Sequence, residues 1–225
     1  MINPGFKILP RGVPLTSTYR IFLQDHNNKT LSFWHDLPLF PAEDPYLITF
    51  VSEIARGSRA KLEISKDEEY TPILQDKKQC GAPRFYVPRP CFNYGAAPQT
   101  WEDPEHVDPN EPQFKGDGDP LDIVELSDSP IPSGSVVTVR VVGAFCLIDQ
   151  GEIDWKILAV SSDAPQKSVP EWQAEQVMNW FKTYKSLEGK PENTIGYGGR
   201  LLSAEEALKV IQDCHGDWKR LRGIH

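Results

Sequence analysis

The sequence predicts a mainly β fold that ends in helices. Short runs of alternating apolar and polar residues, separated by turn residues, occupy much of the chain, and two stretches with helical spacing of apolar residues follow near its end. Hydrophobic residues make up 39% of the 225 residues and aromatic residues 10%, which is enough for a substantial core. Since no internal repeat or change in composition marks a boundary, we expect a single domain over residues 1–225.

The first half of the chain contains four predicted strands. Residues 17–24 and 30–34 flank a turn with two asparagines and predict a hairpin. After a loop punctuated by prolines, residues 47–54 and 60–65 predict two further strands. This half of the chain is therefore expected to be rich in β-structure.

Residues 80–120 form a long stretch rich in proline and turn residues, and their pattern predicts neither sheet nor helix. Several aromatic residues argue against disorder here: Phe85, Tyr86, Phe92, Tyr94 and Trp101. Long irregular loops in compact domains commonly carry function. We therefore expect this segment to cover a site.

Strands are predicted again at residues 121–126, 135–148 and 154–160. The turn at residues 149–153 joins the last two as a hairpin.

Two helices are then expected, because Ser168 and Ser203 each precede a glutamate by three residues, as in a capping box. The apolar face of the first helix is predicted to contain Trp172, Gln176, Val177, Trp180, Phe181 and Tyr184. That of the second is predicted to contain Ala207, Leu208, Ile211 and Cys214.

Three aspartates, Asp117, Asp119 and Asp122, lie within six residues. Asp117 and Asp119 are two apart, so an extended backbone would point them the same way, and Asp122 joins them if the chain bends near Pro120. Converging carboxylates repel one another unless protons or cations neutralise them. Magnesium, a hard cation that takes oxygen ligands, is the expected partner.

The aspartate motif has other interpretations. A solvated acidic loop and the metal-dependent glycosyltransferase type of Asp-x-Asp site both remain open on these residues alone. A calcium loop is excluded because Leu121 and Asp122 stand where its template requires Asp or Asn and then Gly. A phosphatase-type Asp-x-Asp site is disfavoured because residues 111–115 do not form a buried strand pattern.

Two further pairs of charged residues alternate along predicted strands. Asp154 and Lys156 face one way, as a metal ligand beside a phosphate contact would, and Asp149 lies near the same hairpin end. Lys61 and Glu63 also share a face. Both pairs are equally compatible with solvent-facing positions on half-buried strands.

Charge and cysteine usage limit the partners and the compartment. The formal net charge is −8, with 32 acidic and 24 basic residues, so nucleic acid and anionic membranes are poor candidate partners. The four cysteines form no C-x-x-C pair and no zinc-ligand spacing, which is typical of reduced thiols. Residues 1–14 show no signal-peptide pattern, and the longest apolar run is too short to cross a bilayer. We expect a soluble, cytoplasmic protein.

Several motifs, in order, resemble the eukaryotic type of family I soluble inorganic pyrophosphatases. Residues 117–123 match that family's Asp-x-Asp-Pro-hydrophobic-Asp-hydrophobic signature. The resemblance runs over residues 19–218. Its supporting matches are Glu53, Arg56 and residues 60–64, 93–95, 98–104, 151–152, 154–156, 184–185 and 189–193.

The resemblance implies a strongly twisted five-stranded barrel of the OB type, flanked by helices. It also implies hydrolysis of pyrophosphate to two phosphates with several magnesium ions per active site, and a homodimer. A nucleotide-sugar transferase would instead require a nucleotide-binding α/β domain before the motif, which the strand-and-loop pattern of the first half does not supply.

The resemblance further implies a role for each matching residue. The metals would be held, directly or through water, by Asp117, Asp122, Asp154, Asp149, Glu63 and Glu53. Asp122 would bridge two of them, and Asp119 would be the general base. The phosphates would be bound by Lys61, Arg84, Tyr94, Lys156, Tyr184 and Lys185.

The sequence departs from the family pattern between residues 85 and 93, where it is shorter than similar eukaryotic enzymes. Pro90 stands where the family has a second tyrosine, four residues before Tyr94, and Tyr86 and Arg89 are open candidates to replace that tyrosine. This departure motivates an alternative, a non-enzymatic scaffold protein on the same fold. The intact set of carboxylates favours the enzyme.

Overall fold

The computed structural model describes residues 5–165 and 168–224. Its strands are β1 (Phe6–Arg11), β2 (Arg20–Asp25), β3 (Thr30–Leu31), β4 (Leu47–Ile54), β5 (Leu62–Ile64), β6 (Ile73–Gln75), β7 (Asn93–Ala96), β8 (Lys115–Gly116), β9 (Asp122–Glu125), β10 (Val136–Asp149), β11 (Glu152–Ser161) and β12 (Thr194–Ile195). Its α-helices are α1 (Glu171–Thr183) and α2 (Ala204–Arg222), and short 3-10 helices lie at Ser186–Glu188 and Tyr197–Gly199.

Five of the strands close into a barrel. β4 pairs antiparallel with β10 and with β7, and β7 pairs antiparallel with β9. β9 then runs parallel to β11, and β11 returns antiparallel to β10 over most of its length. This closed circuit confirms the predicted mainly β class and the OB-like barrel flanked by helices.

A second sheet packs beside the barrel, with the strand order β1-β2-β6-β5 and β3 paired to β2. The register of β3 places Leu31 opposite Leu23, which confirms the predicted hairpin with shorter strands than expected. β5 pairs with β6 at the end of this sheet, and the predicted strand at residues 60–65 contracts to Leu62–Ile64.

One barrel strand was missed by the sequence pattern. β7 lies between β4 and β9, inside the segment expected to contain neither sheet nor helix, and that expectation was wrong. Its Asn-Tyr-Gly-Ala sequence lacks the β-branched alternation that marks a strand. Gly95 is required there because a Cβ would lie 2.0 Å from the carbonyl oxygen of Val51 on the neighbouring strand.

Helix α2 begins as the sequence predicts. Ser203 Oγ accepts a hydrogen bond from the backbone N–H of Glu206 at 3.2 Å, and Glu206 Oε2 accepts one from the backbone N–H of Ser203 at 2.9 Å. The buried residues of α2 include Ala207, Ile211 and Cys214, as expected. The capping box is therefore confirmed at this helix.

Helix α1 begins later than predicted. Its N-cap is Pro170 and no side chain caps it, so the expectation of a capping box at Ser168 was wrong. Proline disfavours helical geometry at the residue before it, which delays the first turn to Glu171. Trp172 was expected in the core but is 66% exposed, because it lies off the buried stripe through Ala174, Val177 and Phe181.

Alternation along the barrel strands divides the apolar residues into two clusters, and its phase changes where the register shifts in β4 and β10. On β9, Ile123 belongs to one cluster and Val124 to the other, and on β11 Ile157 and Leu158 are divided in the same way. Helix α1 packs against the cluster of Val124, whereas helix α2 contributes Ala207, Ile211 and Cys214 to the cluster of Ile123 and Trp218 to that of Val124. Neither helix is long and apolar enough to cross a membrane over the ranges that the structure describes.

Candidate active site

A cavity of about 630 Å³ lies between the barrel and the second sheet, and all the predicted site residues line it. They are Glu53, Lys61, Glu63, Arg84, Tyr94, Asp117, Asp119, Asp122, Asp149, Asp154, Lys156, Tyr184 and Lys185. The predicted residues come from seven stretches of the chain that are far apart in sequence. The fold therefore brings the whole predicted set together, while the role of each residue stays a prediction.

The aspartate motif forms a turn before β9 rather than an extended strand. Asp117 Oδ1 accepts a hydrogen bond from the backbone N–H of Asp119 at 2.8 Å, and Gly118 between them has a φ of +77°. The expectation of an extended backbone at Asp117 and Asp119 was therefore wrong. The turn lets both side chains line the cavity, and the bend at Pro120 places Asp122 at the first position of β9.

A group of three carboxylates forms the deepest acidic part of the site. Oxygen atoms of Glu102, Asp117 and Asp154 lie within 4.8 Å of one another. Burial, followed by the charge of Asp119, raises the pKa of Asp117 to about 7. Burial also raises the pKa of Glu102 and of Asp154 well above the usual range.

Glu102 is only partly satisfied by the protein. Its Oε1 accepts a hydrogen bond from the backbone N–H of Trp155 at 2.8 Å, whereas its buried Oε2 has no partner among the residues that the structure describes. A buried carboxylate oxygen without a donor is costly. The Glu102 carboxylate, with the hard oxygen donors of Asp117 and Asp154 beside it, therefore fits a group that could hold a divalent cation.

Lys156 occupies the centre of the site and is almost fully buried. Its ammonium forms ion pairs with Asp122 and Asp154 and donates a hydrogen bond to the hydroxyl oxygen of Tyr94 at 3.2 Å. The Tyr94 hydroxyl in turn donates to Asp122. Burial lowers the pKa of Lys156, but the two aspartates outweigh this effect and raise it well above the usual range, so the lysine stays charged.

The second sheet supplies a wall of alternating charges. Lys61 forms ion pairs with Glu63 at 2.6 Å and with Asp76 at 2.8 Å, and Arg84 reaches the same Asp76 carboxylate at 3.2 Å. Lys61 and Glu63 both line the cavity, with the Glu63 side chain still 42% exposed. Asp76 therefore lies between Lys61 and Arg84 and forms an ion pair with each of them.

Two other predicted acids have specific partners. Glu53 is buried, and its Oε1 accepts a hydrogen bond from the backbone N–H of Ile64 at 2.6 Å. Burial and then the charge of Asp122 raise the pKa of Glu53 well above the usual range. On the opposite side of the cavity, Asp149 forms an ion pair with Lys185.

Asp119 differs from the other acids because its side chain remains 51% exposed. It forms an ion pair with Lys66, whose ammonium also donates to the carbonyl oxygen of Gly118 at 3.2 Å. Asp119 is thus held at the edge of the acidic group and keeps contact with water in the cavity.

The structure adds Lys66, Asp76 and Glu102, which sequence reasoning did not assign to the site. Glu102 lies within the Trp-Glu-Asp-Pro motif used for the family resemblance, which was a usable signal. Of the two candidates to replace the missing tyrosine, Tyr86 is buried and lines the cavity, whereas Arg89 is exposed and lies outside it. No motif distinguished these two residues in the sequence.

Comparison with known proteins agrees with the fold. The family model for inorganic pyrophosphatase matches residues 50–219. The chain is 39% identical to the inorganic pyrophosphatase of Debaryomyces hansenii, over 93% of this chain and 77% of that protein. It is 36% identical to soluble inorganic pyrophosphatase 6, chloroplastic, of Arabidopsis thaliana, over 97% of this chain and 75% of that protein.

Solved structures show the same similarity. The crystal structure of type I inorganic pyrophosphatase from Toxoplasma gondii superposes with a TM-score of 0.89 at 37% identity, covering 96% of this chain and 99% of that one. An N-terminally truncated vacuolar soluble pyrophosphatase from Trypanosoma cruzi, determined in complex with PPi, has a TM-score of 0.87 at 33% identity, covering 97% of this chain and 92% of that one.

The barrel and its cavity of carboxylates and lysines define a hydrolase of phosphoanhydride bonds. The cations are suited to phosphate groups and the carboxylates to divalent metals. More specifically, the chain belongs to the inorganic pyrophosphatase family.

Proposed function

We propose that this chain hydrolyses inorganic pyrophosphate to two phosphates with magnesium, using Asp119 as the general base. The observation that carries the proposal is the convergence of all thirteen predicted site residues on a single cavity around the carboxylates of Asp117, Asp122 and Asp154. The determination of the Trypanosoma cruzi relative in complex with PPi supports the choice of substrate.

Magnesium ions would be held by six carboxylates of the cavity, directly or through water: Asp117, Asp122, Asp154, Asp149, Glu63 and Glu53. Glu102 is added to this set, because its buried Oε2 has no donor among the described residues. When bound, the ions screen the substrate's charge and lower the pKa of a water molecule to near neutrality. Lys61, Lys156 and Lys185, which pair with these carboxylates, would then be available to the substrate.

Asp119 would take the proton of the attacking water. A general base needs to be within reach of that water and to remain accessible to it. The half-exposed Asp119 carboxylate meets this condition, whereas the neighbouring Asp117 is largely enclosed with Glu102 and Asp154. The oxygen of the water forms a bond to one phosphorus, and the bond from that phosphorus to the bridging oxygen breaks.

The cationic and phenolic side chains would bind the two phosphate groups and stabilise negative charge on the leaving one. They are Lys61, Arg84, Tyr94, Lys156, Tyr184 and Lys185. Arg84 offers a planar fork to two oxygens, whereas each lysine acts as a point charge. The wall with Lys61 and Arg84 and the helix end with Tyr184 and Lys185 would hold the substrate from two sides.

We also propose a single domain over residues 1–225, a homodimer and a cytoplasmic location. All four cysteines are free thiols, which suits a reducing compartment. Since the Arabidopsis relative is named as chloroplastic, the compartment needs its own test by microscopy of the tagged chain. Sedimentation of the purified protein would test the dimer, and limited proteolysis would test the single domain.

Phosphate release from pyrophosphate tests the proposed reaction. The purified chain should release phosphate with Mg²⁺ and not after chelation. An Asp119→Asn variant should lose turnover by orders of magnitude while keeping its melting temperature, because the half-exposed side chain contributes little to the core. No release by folded wild type in Mg²⁺ would reject the enzyme and favour a scaffold protein. Near-normal release by folded Asp119→Asn would reject Asp119 as the base.

A further inference from the structure

Tyr86 is placed in the cavity wall by backbone pairing beside Lys61. The backbone N–H of Tyr86 donates to the carbonyl oxygen of Arg59 at 2.7 Å, and that of Lys61 donates to the carbonyl oxygen of Arg84 at 3.2 Å. In such an extended segment, residues two apart face the same side. Arg84 and Tyr86 accordingly both line the cavity.

The ring of Tyr86 is held in one position by other aromatic rings. Only 6% of the residue is exposed. Its ring makes edge contacts with Trp180, at 5.3 Å between centroids, and with Tyr184, at 5.7 Å. Such contacts orient a ring as well as burying it. The direction in which the hydroxyl points is therefore set by the folded structure.

The hydroxyl of Tyr86 is not used by the protein itself. Across residues 5–165 and 168–224, this oxygen forms no hydrogen bond. It is not one of the fully buried atoms that lack a partner, so it is open to solvent, and Tyr86 lines the cavity. The oxygen is thus reached from the cavity. Tyr94 differs, because its hydroxyl is engaged with Asp122 and Lys156.

The charges around Tyr86 suit an anionic ligand. Burial raises the pKa of Tyr86 above its ordinary value, and the negative charge of Asp122 raises it further, while the opposing effects of Lys61, Lys156 and Arg84 do not reverse this. The phenol therefore stays protonated and is a hydrogen-bond donor at neutral pH. A donor among cations, at the wall of a cavity, meets the requirements for holding a phosphate oxygen.

We propose that the Tyr86 hydroxyl donates a hydrogen bond to a phosphate oxygen of the bound pyrophosphate. This inference rests on the proposed function and assigns a further substrate-binding residue to the same site. Tyr86 lies in the shortened segment between residues 85 and 93. The shortening of this segment motivated the alternative of a non-enzymatic scaffold protein, whereas here the segment would supply a substrate contact. The segment would thereby complete the wall that begins at Lys61 and Arg84.

The test compares Tyr86→Phe with a matched control, Tyr46→Phe. Tyr46 is partly buried against the cluster of Ile123 and does not line the cavity. Phosphate release is measured over a range of pyrophosphate concentrations with Mg²⁺. A separate calorimetric titration measures binding of methylenediphosphonate, a non-hydrolysable analogue, with the same ion.

We expect Tyr86→Phe to raise KM and weaken analogue binding by about tenfold or more, the usual effect of losing a hydrogen bond to a charged group. The melting temperature should stay unchanged, because the hydroxyl has no partner within the described protein. Tyr46→Phe should alter neither measurement. KM and analogue affinity within twofold of wild type would overturn the inference while leaving the enzyme proposal intact.

The two proposals fail in different ways. If wild type releases no phosphate, the proposed function is rejected, and analogue binding alone then decides the role of Tyr86. Equal analogue binding by wild type and Tyr86→Phe rejects the contact, and so does the absence of binding by both.

Discussion

Glu102 reaches the backbone N–H of Trp155 with one carboxylate oxygen, at 2.8 Å, and leaves the other buried without a donor among the described residues. A carboxylate oxygen of Glu102 lies within 4.8 Å of carboxylate oxygens of Asp117 and Asp154. Holding three carboxylates together in this way costs stability unless protons or a cation neutralise them. The contact with Trp155 fixes Glu102 in position despite that cost.

Magnesium should therefore raise the melting temperature of the protein, since binding to the folded state alone stabilises it. Glu102→Gln keeps an oxygen that accepts the hydrogen bond from Trp155, but the amide cannot ionise and so offers the metal no negatively charged ligand. We expect this variant to bind Mg²⁺ about tenfold more weakly and to show a smaller rise in melting temperature, by about 3 °C or more. Differential scanning calorimetry with Mg²⁺ and with a chelator measures both shifts.

Glu105→Gln is the matched control, because the Glu105 side chain is 83% exposed and contacts Lys115 at the surface. Its response to Mg²⁺ should equal that of wild type. An undiminished rise in Glu102→Gln would show that Glu102 takes no part in the metal site. No rise in wild type would reject the metal site as a whole.

Lys156 should be essential to the site before any metal binds. Replacing it with Met removes the buried cation between Asp122 and Asp154, and breaking a buried ion pair from one side typically costs about 3–5 kcal/mol. In chelator, we expect Lys156→Met to unfold at a lower denaturant concentration than wild type. In Mg²⁺, we expect the stability of the variant to return most of the way to that of wild type. Urea unfolding under both conditions measures this.

Lys209→Met serves as the control, since Lys209 is exposed on α2 and forms a surface ion pair with Glu205 at 3.7 Å. Its unfolding midpoint should match that of wild type in both conditions. An equally large deficit of Lys156→Met with and without Mg²⁺ would mean that the loss comes from packing rather than from unpaired carboxylates.

The two predicted capping boxes offer a direct comparison. Ser203→Ala removes a real cap and should lower stability by about 1 kcal/mol, or about 2–4 °C in melting temperature for a chain of this size. Ser168→Ala should change little, because α1 begins after Pro170 without a side-chain cap. Thermal melts of the two variants measure the difference, and a loss at Ser168 as large as at Ser203 would contradict this description of α1.

The sequence predicted elements wherever local pattern and burial agree. Residues 47–54 were predicted as a strand and match the bounds of β4, and Ser203 with Glu206 marked the start of α2. β7 escaped prediction because its place in the barrel depends on the close approach of Val51 to Gly95, a long-range contact with no local pattern. Pairing between distant segments decides such strands, so propensity cannot reveal them.

The site residues that lie in recognisable sequence motifs could be predicted from the sequence. The spacing of Asp117, Asp119 and Asp122 indicated a metal-binding cluster, and the family resemblance extended it to the other segments. Tyr86 could not be distinguished from Arg89, because only the pairing of its segment with residues 59–61 decides which side chain enters the cavity. Spacing along the chain carries no such information.

We expect His35 to make the stability of the metal-free protein sensitive to acid. Its ring stacks on Trp34 at 4.5 Å, and its Nδ1 accepts a hydrogen bond from Trp218 Nε1 at 3.1 Å, so the neutral form is required. Burial and then the positive charge of Arg222 lower the pKa of His35 to about 4, while Asp36 opposes the shift. In the unfolded chain the pKa is near 6.5.

Because the folded pKa is the lower one, the contribution of neutral His35 is present above about pH 6.5 and is lost as the pH falls towards 4. His35→Asn keeps an acceptor for Trp218 but cannot titrate. We expect the variant to be less stable at pH 7, where it lacks the stacked ring, and to lose less stability than wild type between pH 7 and pH 4, by on the order of 2 kcal/mol.

Urea unfolding in chelator at several pH values measures the two slopes, and the difference between wild type and variant cancels the carboxylates that titrate in both. His26→Asn is the control, since His26 is exposed in the turn after β2. Parallel profiles for wild type and His35→Asn would show that His35 is not the residue responsible. A steeper acid loss in the variant would reverse the sign and contradict a lowered pKa, because a histidine that gains protons on folding would stabilise the protein as the pH falls.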